Sequence, residues 1–163
     1  MFLYRITHKK YSTNLSASGM EGRWNSAGKK VIYCAESIAL AFLENMVRRQ
    51  GVGFNDLFKI MFINVPDTLA ITTVEVKSLD KRWRDFNDYS HCQPIGDKWF
   101  DNCETPLLKV PSAVLPENYN YIINTEHRDY KKIQLVQTTD LVPDERIEAI
   151  LKKYSKSGKK RLN

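Results

Sequence analysis

The spacing of apolar residues predicts an α+β domain. Two observations carry that reading: a series of short β-branched or apolar runs separated by single glycines and prolines, and amphipathic helical stretches that stand apart from those runs instead of alternating with them. A third observation bounds it. With 163 residues, 42% of them apolar, the chain can form one core that removes roughly 70% of its unfolded surface from water. No repeat, proline-rich linker or low-complexity stretch divides it.

The elements follow in order. Phe2 to Thr7 and Val31 to Ala35 read as short strands. Glu36 to Gln50 reads as a helix, because Ala39, Leu40, Phe42, Leu43, Met46 and Val47 form an apolar stripe at helical spacing, and Gly51 and Gly53 are expected to end it. Leu57 to Val65 and Leu69 to Val76 are apolar enough to be strands joined by the turn Pro66-Asp67-Thr68. Asp80 to Asn102 is charged and aromatic, and helical turns and loops are expected there. Further strands are predicted at Leu107 to Val110, Ala113 to Leu115, Tyr119 to Asn124 and Lys132 to Thr138, then a helix from Asp144 to Tyr154 opened by Pro143.

The formal net charge is +6, but its distribution argues against a nucleic-acid surface. Lys152, Lys153, Lys156, Lys159, Lys160 and Arg161 lie in a tail without acids, so the remaining basic and acidic residues balance. Residues 1–151 are therefore expected to form the domain, and 152–163 a solvated basic tail. The longest uncharged apolar run, Ser37 to Leu43, is far short of a membrane span, and FLYRIT after Met1 is not a leader, so a cytoplasmic protein is expected. Cys34, Cys92 and Cys103, odd in number and irregular in spacing, are expected to be free thiols.

Few residues stand out as candidates for chemistry. There is no Walker loop, GxGxxG or GxSxG, and His91, Cys92 and Cys103 lack the spacing and the fourth ligand of a zinc site, so no metal is expected. His8, His91 and His127 are far apart in sequence. Arg23 and Trp24 sit in a Gly/Asn/Ser-rich loop where neither is expected to build a core, and such loops often carry binding residues. Glu44 lies at the margin of the helical apolar stripe, which suits either a functional carboxylate or a pair with Arg48 one turn on. Ser112 suits a turn after Pro111 equally well, Arg23 a surface residue over Trp24, and Tyr33 a core strand aromatic.

A resemblance separates these alternatives. GMEGRWNSAGKKVIYCAESIALAFLE, then IGDKWF, then VPSAVLPENYNYIINTEH, then LVPDERI, resemble in order the motifs of the RES domain family, from about Gly19 to about Ile147. The resemblance implies an ADP-ribosyltransferase-like fold, with a mixed central sheet split around an NAD+ cleft. It implies a bacterial toxin that consumes NAD+ as substrate, needs no other cofactor, and is neutralised by an Xre-like DNA-binding antitoxin. The family arginine falls on Arg23, the tyrosine on Tyr33, the glutamate on Glu44, the serine on Ser112 and the following asparagine on Asn120. Two positions depart from the family pattern: Glu21 replaces a glycine before Gly22 and brings negative charge near the expected phosphate site, and Thr125 replaces a proline before Glu126-His127.

The roles this implies follow from chemistry. Arg23 would hold a phosphate through two parallel hydrogen bonds. Glu44 would stabilise positive charge as the nicotinamide–ribose bond breaks by hydrolysis or phosphorolysis. Tyr33 would offer a ring face to the nicotinamide, and Ser112 and Asn120 hydrogen bonds to its ribose or amide. Transfer of ADP-ribose to a protein, a nucleic-acid-acting toxin, and a non-catalytic interaction module are the competing expectations.

Overall fold

A computed structural model describes residues 1–49, 57–147 and 149–150. Its strands are β1 (Phe2–His8), β2 (Val31–Ala35), β3 (Phe58–Asn64), β4 (Ile71–Thr73), β5 (Leu107–Pro111), β6 (Tyr119–Asn124) and β7 (Gln134–Asp140), and its helices are α1 (Ile38–Arg48) and α2 (Gln93–Asn102). The strands form one mixed sheet in the order β4-β5-β6-β2-β1-β3-β7. The β4–β5 pair is parallel and the remaining pairs are antiparallel. Among the described residues no helix is long and apolar enough to cross a membrane.

The sheet is nearly divided at its middle. β1 pairs with β3 along its whole length, and β2 pairs with β6 along its whole length. β1 and β2, however, meet through a single register pair, Tyr4 opposite Ala35. This is the split expected of the sheet.

Alternation along the strands sends successive side chains to opposite faces. On the far face Leu3, Ile32, Cys34, Met61, Ile63, Leu107, Tyr121 and Ile123 pack into one core that spans both halves of the sheet. The near face is different, because its core is two clusters. Val31, Leu108, Val110 and Ile122 pack under Trp24, Trp83, Trp99 and Phe100 of the loops and α2, whereas Ile6 and Ala35 pack under Leu40 and Ala41 of α1. Two separate lids over one sheet leave a boundary between them.

Several elements differ from expectation for local reasons. α1 starts at Ile38 because Ser37 caps it, its Oγ accepting from the Leu40 amide at 3.1 Å. β4 stops at Thr73, and Val76–Ser78 turn as a 3₁₀ helix. Residues 80–92 are turns and loops, but the expected irregular stretch closes in a true helix, α2. Ala113 to Leu115 is not a strand. The Ser112 hydroxyl accepts from the Val114 and Leu115 amides and folds those residues into a turn. A 3₁₀ turn at Tyr130–Lys132 delays β7 to Gln134. Residues 145–147 and 149–150 are helical, as expected, although Asp144 is not, and the remainder of the expected span, with Gly51 and Gly53, lies outside the described residues.

Candidate active site

The first half of the site is the loop that precedes β2. Gly22 and Asn25 bridge each other across a tight turn that carries Arg23 and Trp24 at its tip. Asn25, 1% exposed, is the hub of that turn: its Nδ2 donates to the carbonyls of Met20 and Ser26, and its Oδ1 accepts from the Tyr33 hydroxyl at 2.7 Å. Tyr33 in turn accepts from the Trp24 amide at 3.0 Å. A Cβ on Gly22 would lie 2.7 Å from the Tyr33 oxygen, so only glycine lets the turn close onto the phenol. Burial pushes the Tyr33 phenol well above its ordinary pKa. Its hydroxyl is thus a neutral hydrogen-bonding post for the loop.

From the other side α2 holds the same loop. Gln93 donates to the carbonyls of Gly22 and Asn25, and Asp97 accepts from the amide and hydroxyl of Ser26. Lys29 pairs with Asp101. Trp24 overturns the expectation made of it: it is 3% exposed and packs on Trp83 at a centroid distance of 6.3 Å. The loop is polar in sequence, but its tip inserts the indole between α2 and the segment 80–92, which is why a loop residue builds the core.

Arg23 leaves the tip in the direction of 80–92. Its Nη1 donates to the Trp83 carbonyl at 2.6 Å and the Asp85 carbonyl at 2.9 Å, and its Cζ lies 5.0 Å from the centre of the Tyr89 ring. Both Nη1 protons are thereby engaged, the Cys92 thiol lies beside the guanidinium, and the Nε/Nη2 edge carries the other three N–H groups. Glu21 is exposed at the surface.

The second half of the site is a carboxylate on α1. Glu44 Oε1 accepts from Ser112 Oγ at 2.7 Å and from Asn120 Nδ2 at 2.6 Å. Those two bonds, rather than a pair with Arg48, fix the position of Glu44. Ser112 is 0% exposed and is both turn former and donor to Glu44. The single hydroxyl proton of Ser112 goes to Glu44, whereas Asn120 spends one Nδ2 proton on the carboxylate and keeps its second N–H and its Oδ1.

The register joins the two halves. Tyr33 stands opposite Ile122 and Ala35 opposite Asn120. Tyr33 and Asn120 are therefore diagonal neighbours on the near face, roughly 7–8 Å apart along the backbone. Four of the five expected residues are linked in this way across β2, β6 and α1, and Arg23 joins them through the loop that Tyr33 anchors. They lie at the boundary between the two near-face clusters, which falls within β2 between Tyr33 and Ala35.

Other polar groups are structural. His127, 5% exposed, accepts from the Asp129 amide through Nδ1. Thr125 binds the Lys30 carbonyl through both its amide and its hydroxyl, so the departure at that position remakes a turn. Cys34, Cys92 and Cys103 are free thiols. Among the described residues no group of three His, Cys, Asp or Glu is placed to hold a metal. An apolar groove of about 750 Å³ runs along the outside of α1, but none of the five residues lines it.

Spacing alone could not have found Gln93, Asp97, Tyr89 or the carbonyls of Trp83 and Asp85, which lie sixty or more residues from the loop they hold. Asn25 was within reach, because it sits in the same short motif as Arg23.

Known proteins with similar sequences or folds include toxins. The chain is 32% identical over 155 residues to "Toxin Res" of Photorhabdus laumondii, covering 90% of this chain and 97% of that protein. It is 34% identical over 127 residues to "Prs ADP-ribosylating toxin" of Sphingobium, covering 74% and 78%. Among solved structures, the M. tuberculosis MbcT-MbcA toxin-antitoxin complex contains a chain with the same fold, at a TM-score of 0.72 and 22% identity over 91% of this chain and 88% of that one. The expected α+β, ADP-ribosyltransferase-like architecture is thus the one the chain adopts. The model of the RES domain matches residues 2–144, and with that match and a 32%-identical relative covered over 97% of its length, the chain belongs to the RES domain family.

Proposed function

We propose that this chain is the toxin of a toxin–antitoxin pair and that it cleaves the nicotinamide–ribose bond of NAD+. The observation that carries the reading is the carboxylate of Glu44, held through one oxygen by two neutral donors at the boundary of the two clusters. Breaking the bond places oxocarbenium-like positive charge on the ribose. A carboxylate already fixed in place stabilises that charge without reorganising as it forms. Both hydrogen bonds fall on Oε1, so Oε2 is the oxygen left for a ribose hydroxyl.

The other residues fit the same substrate. Arg23 offers the diphosphate the parallel donors of its Nε/Nη2 edge. Tyr33 contributes its ring face, since its hydroxyl is committed to Asn25 and Trp24. Ser112 and Asn120 act on the substrate through Glu44. NAD+ is the substrate, and the cleavage calls for no further cofactor. The relatives' names and the neighbouring complex support a toxin with a protein antitoxin, and by the family resemblance that antitoxin is Xre-like and DNA-binding.

A second reading has its own support, because one relative is named for ADP-ribosylation. Transfer to a protein breaks the same bond and changes only the acceptor. The test is NAD+ loss on incubation with purified protein, with and without inorganic phosphate, following the products by mass. Free nicotinamide is expected, with ADP-ribose or its 1″-phosphate identifying water or phosphate as acceptor. Glu44→Gln keeps the fold and is expected to lower turnover by about 100-fold or more, as the transition-state charge loses its complement. Equal turnover in parent and variant would remove Glu44 from the reaction. Nicotinamide release only on addition of a protein acceptor would establish the second reading.

A further inference from the structure

We infer that Tyr89 is a positioning residue for Arg23: its ring limits the tilt of the guanidinium, so that one edge is held out for an anionic group of the substrate. The inference rests on the reading of Arg23 as a phosphate ligand and adds a residue from a segment outside the family's named set.

The geometry divides the task of holding Arg23. Two carbonyls, of Trp83 and Asp85, receive the two protons of Nη1. Those two bonds lie in the guanidinium plane and set its orientation, leaving the tilt that hydrogen-bond angles tolerate. The Tyr89 ring, 5.0 Å from Cζ and so within cation–π range, limits that tilt.

Charge points the same way. The partners of Arg23 are two carbonyls, a ring and the Cys92 thiol, all neutral, and among the described residues no carboxylate lies within ion-pair distance of it. A half-buried cation held by neutral groups keeps its full charge for an anion that arrives from outside.

The segment that carries Tyr89 is itself well fixed. Trp83, 5% exposed, is wedged against Trp24, and the Cys92 thiol donates to the same Trp83 carbonyl that Arg23 uses. Asp80 accepts from the Arg82 amide and Asp88 from the Ser90 amide. Arg84 Nε donates to the Ala113 carbonyl at 2.9 Å, one residue from Ser112. The segment thus ties the Arg23 half of the site to the Ser112 half.

The test compares the parent chain with Tyr89→Leu and Tyr89→Phe, measuring NAD+ cleavage kinetics and calorimetric binding of ADP-ribose. Tyr89→Leu is expected to raise the KM for NAD+ and the Kd for ADP-ribose about three- to tenfold, the scale of one lost cation–π contact. Its kcat is expected to stay within about twofold, because Glu44 is untouched. Tyr89→Phe, which keeps the ring, restores both constants. Unchanged KM and Kd in Tyr89→Leu overturn the inference, as does a fall confined to kcat, or a Tyr89→Phe as impaired as Tyr89→Leu. A parent that binds ADP-ribose but cleaves no NAD+ overturns the proposed reaction instead, while the Kd comparison still decides the role of Tyr89. A parent that does neither overturns both.

Discussion

Ser112, Asn120 and Tyr33 carry the polar atoms that the family motif would place against substrate, yet their donors are directed at neighbouring protein groups. Ser112 and Asn120 hold Glu44, and Tyr33 holds the Arg23 turn. A motif records which residue types a site requires, whereas the hydrogen-bond directions record which of their polar atoms are already engaged with neighbouring protein groups. Cys34 shows the opposite case, a reactive side chain made inert by its position. It lies on β2 in the far-face core, and burial pushes its thiol up to about 12 from an ordinary 9.0. The folded-state pKa is raised, so between these values the unfolded chain has lost the proton that the native chain retains. Stability attributable to this thiol is therefore complete below pH 9 and falls as pH rises toward 12, by about 1.4 kcal/mol per unit. Urea unfolding at pH 8 and pH 10.5 should show the parent losing roughly 1–2 kcal/mol more than Cys34→Ala across that interval. Parallel losses in the two proteins would mean that the thiol is reached by solvent.

At the scale of elements, strands were the most legible features, because alternation and β-branching are local. β2 and β6 appear with their expected bounds. Elements whose fate depends on partners far away in sequence were not legible. Trp24 read as a loop residue because its burial is created by α2 and Trp83, and Ala113 to Leu115 read as a strand because nothing local reveals that Ser112 caps those amides. The contact between α2 and the Arg23 loop gives this a sharp form. A Cβ on Gly96 would lie 1.8 Å from the Trp24 carbonyl oxygen and 2.8 Å from its carbon, both of them backbone atoms that cannot rotate away. Helix propensity alone favours alanine over glycine in the middle of α2 by about 1 kcal/mol. The close approach outweighs it, since forced overpacking typically costs about 1–3 kcal/mol. Gly96→Ala is expected to lower Tm by up to about 8 °C for a chain of this size and, by pushing the loop outward, to raise the KM for NAD+. A variant with parental Tm and KM would show that α2 does not set the position of the Arg23 loop.

For the molecule as a whole, the same sheet presents one undivided core on its far face and two clusters on its near face. The resemblance implied the split and its cleft, but the sequence offers no local sign that β1 and β2 should meet at one register pair, because register is settled between strands and not within either. This asymmetry has a dynamic consequence. Strands paired along both edges hold their amides against exchange, whereas groups opened by small local fluctuations exchange early. β6 lies between β5 and β2 and pairs with both throughout, so its amides should be the slowest to exchange. β4 and β7 lie at the edges of the sheet, and amides on the β1–β2 border lack ladder partners beyond Tyr4 and Ala35. Edge and border amides should therefore exchange faster than those of β6. A ligand seated at the boundary of the two clusters would bridge lids that the fold leaves separate, and ADP-ribose should then slow exchange at residues 22–26, 83–89 and 112–115 together. β7, far across the sheet, should be unaffected. Protection confined to the groove along α1, with no change in those three segments, would place the ligand away from Arg23 and Glu44 and remove the two-lid cleft as the site.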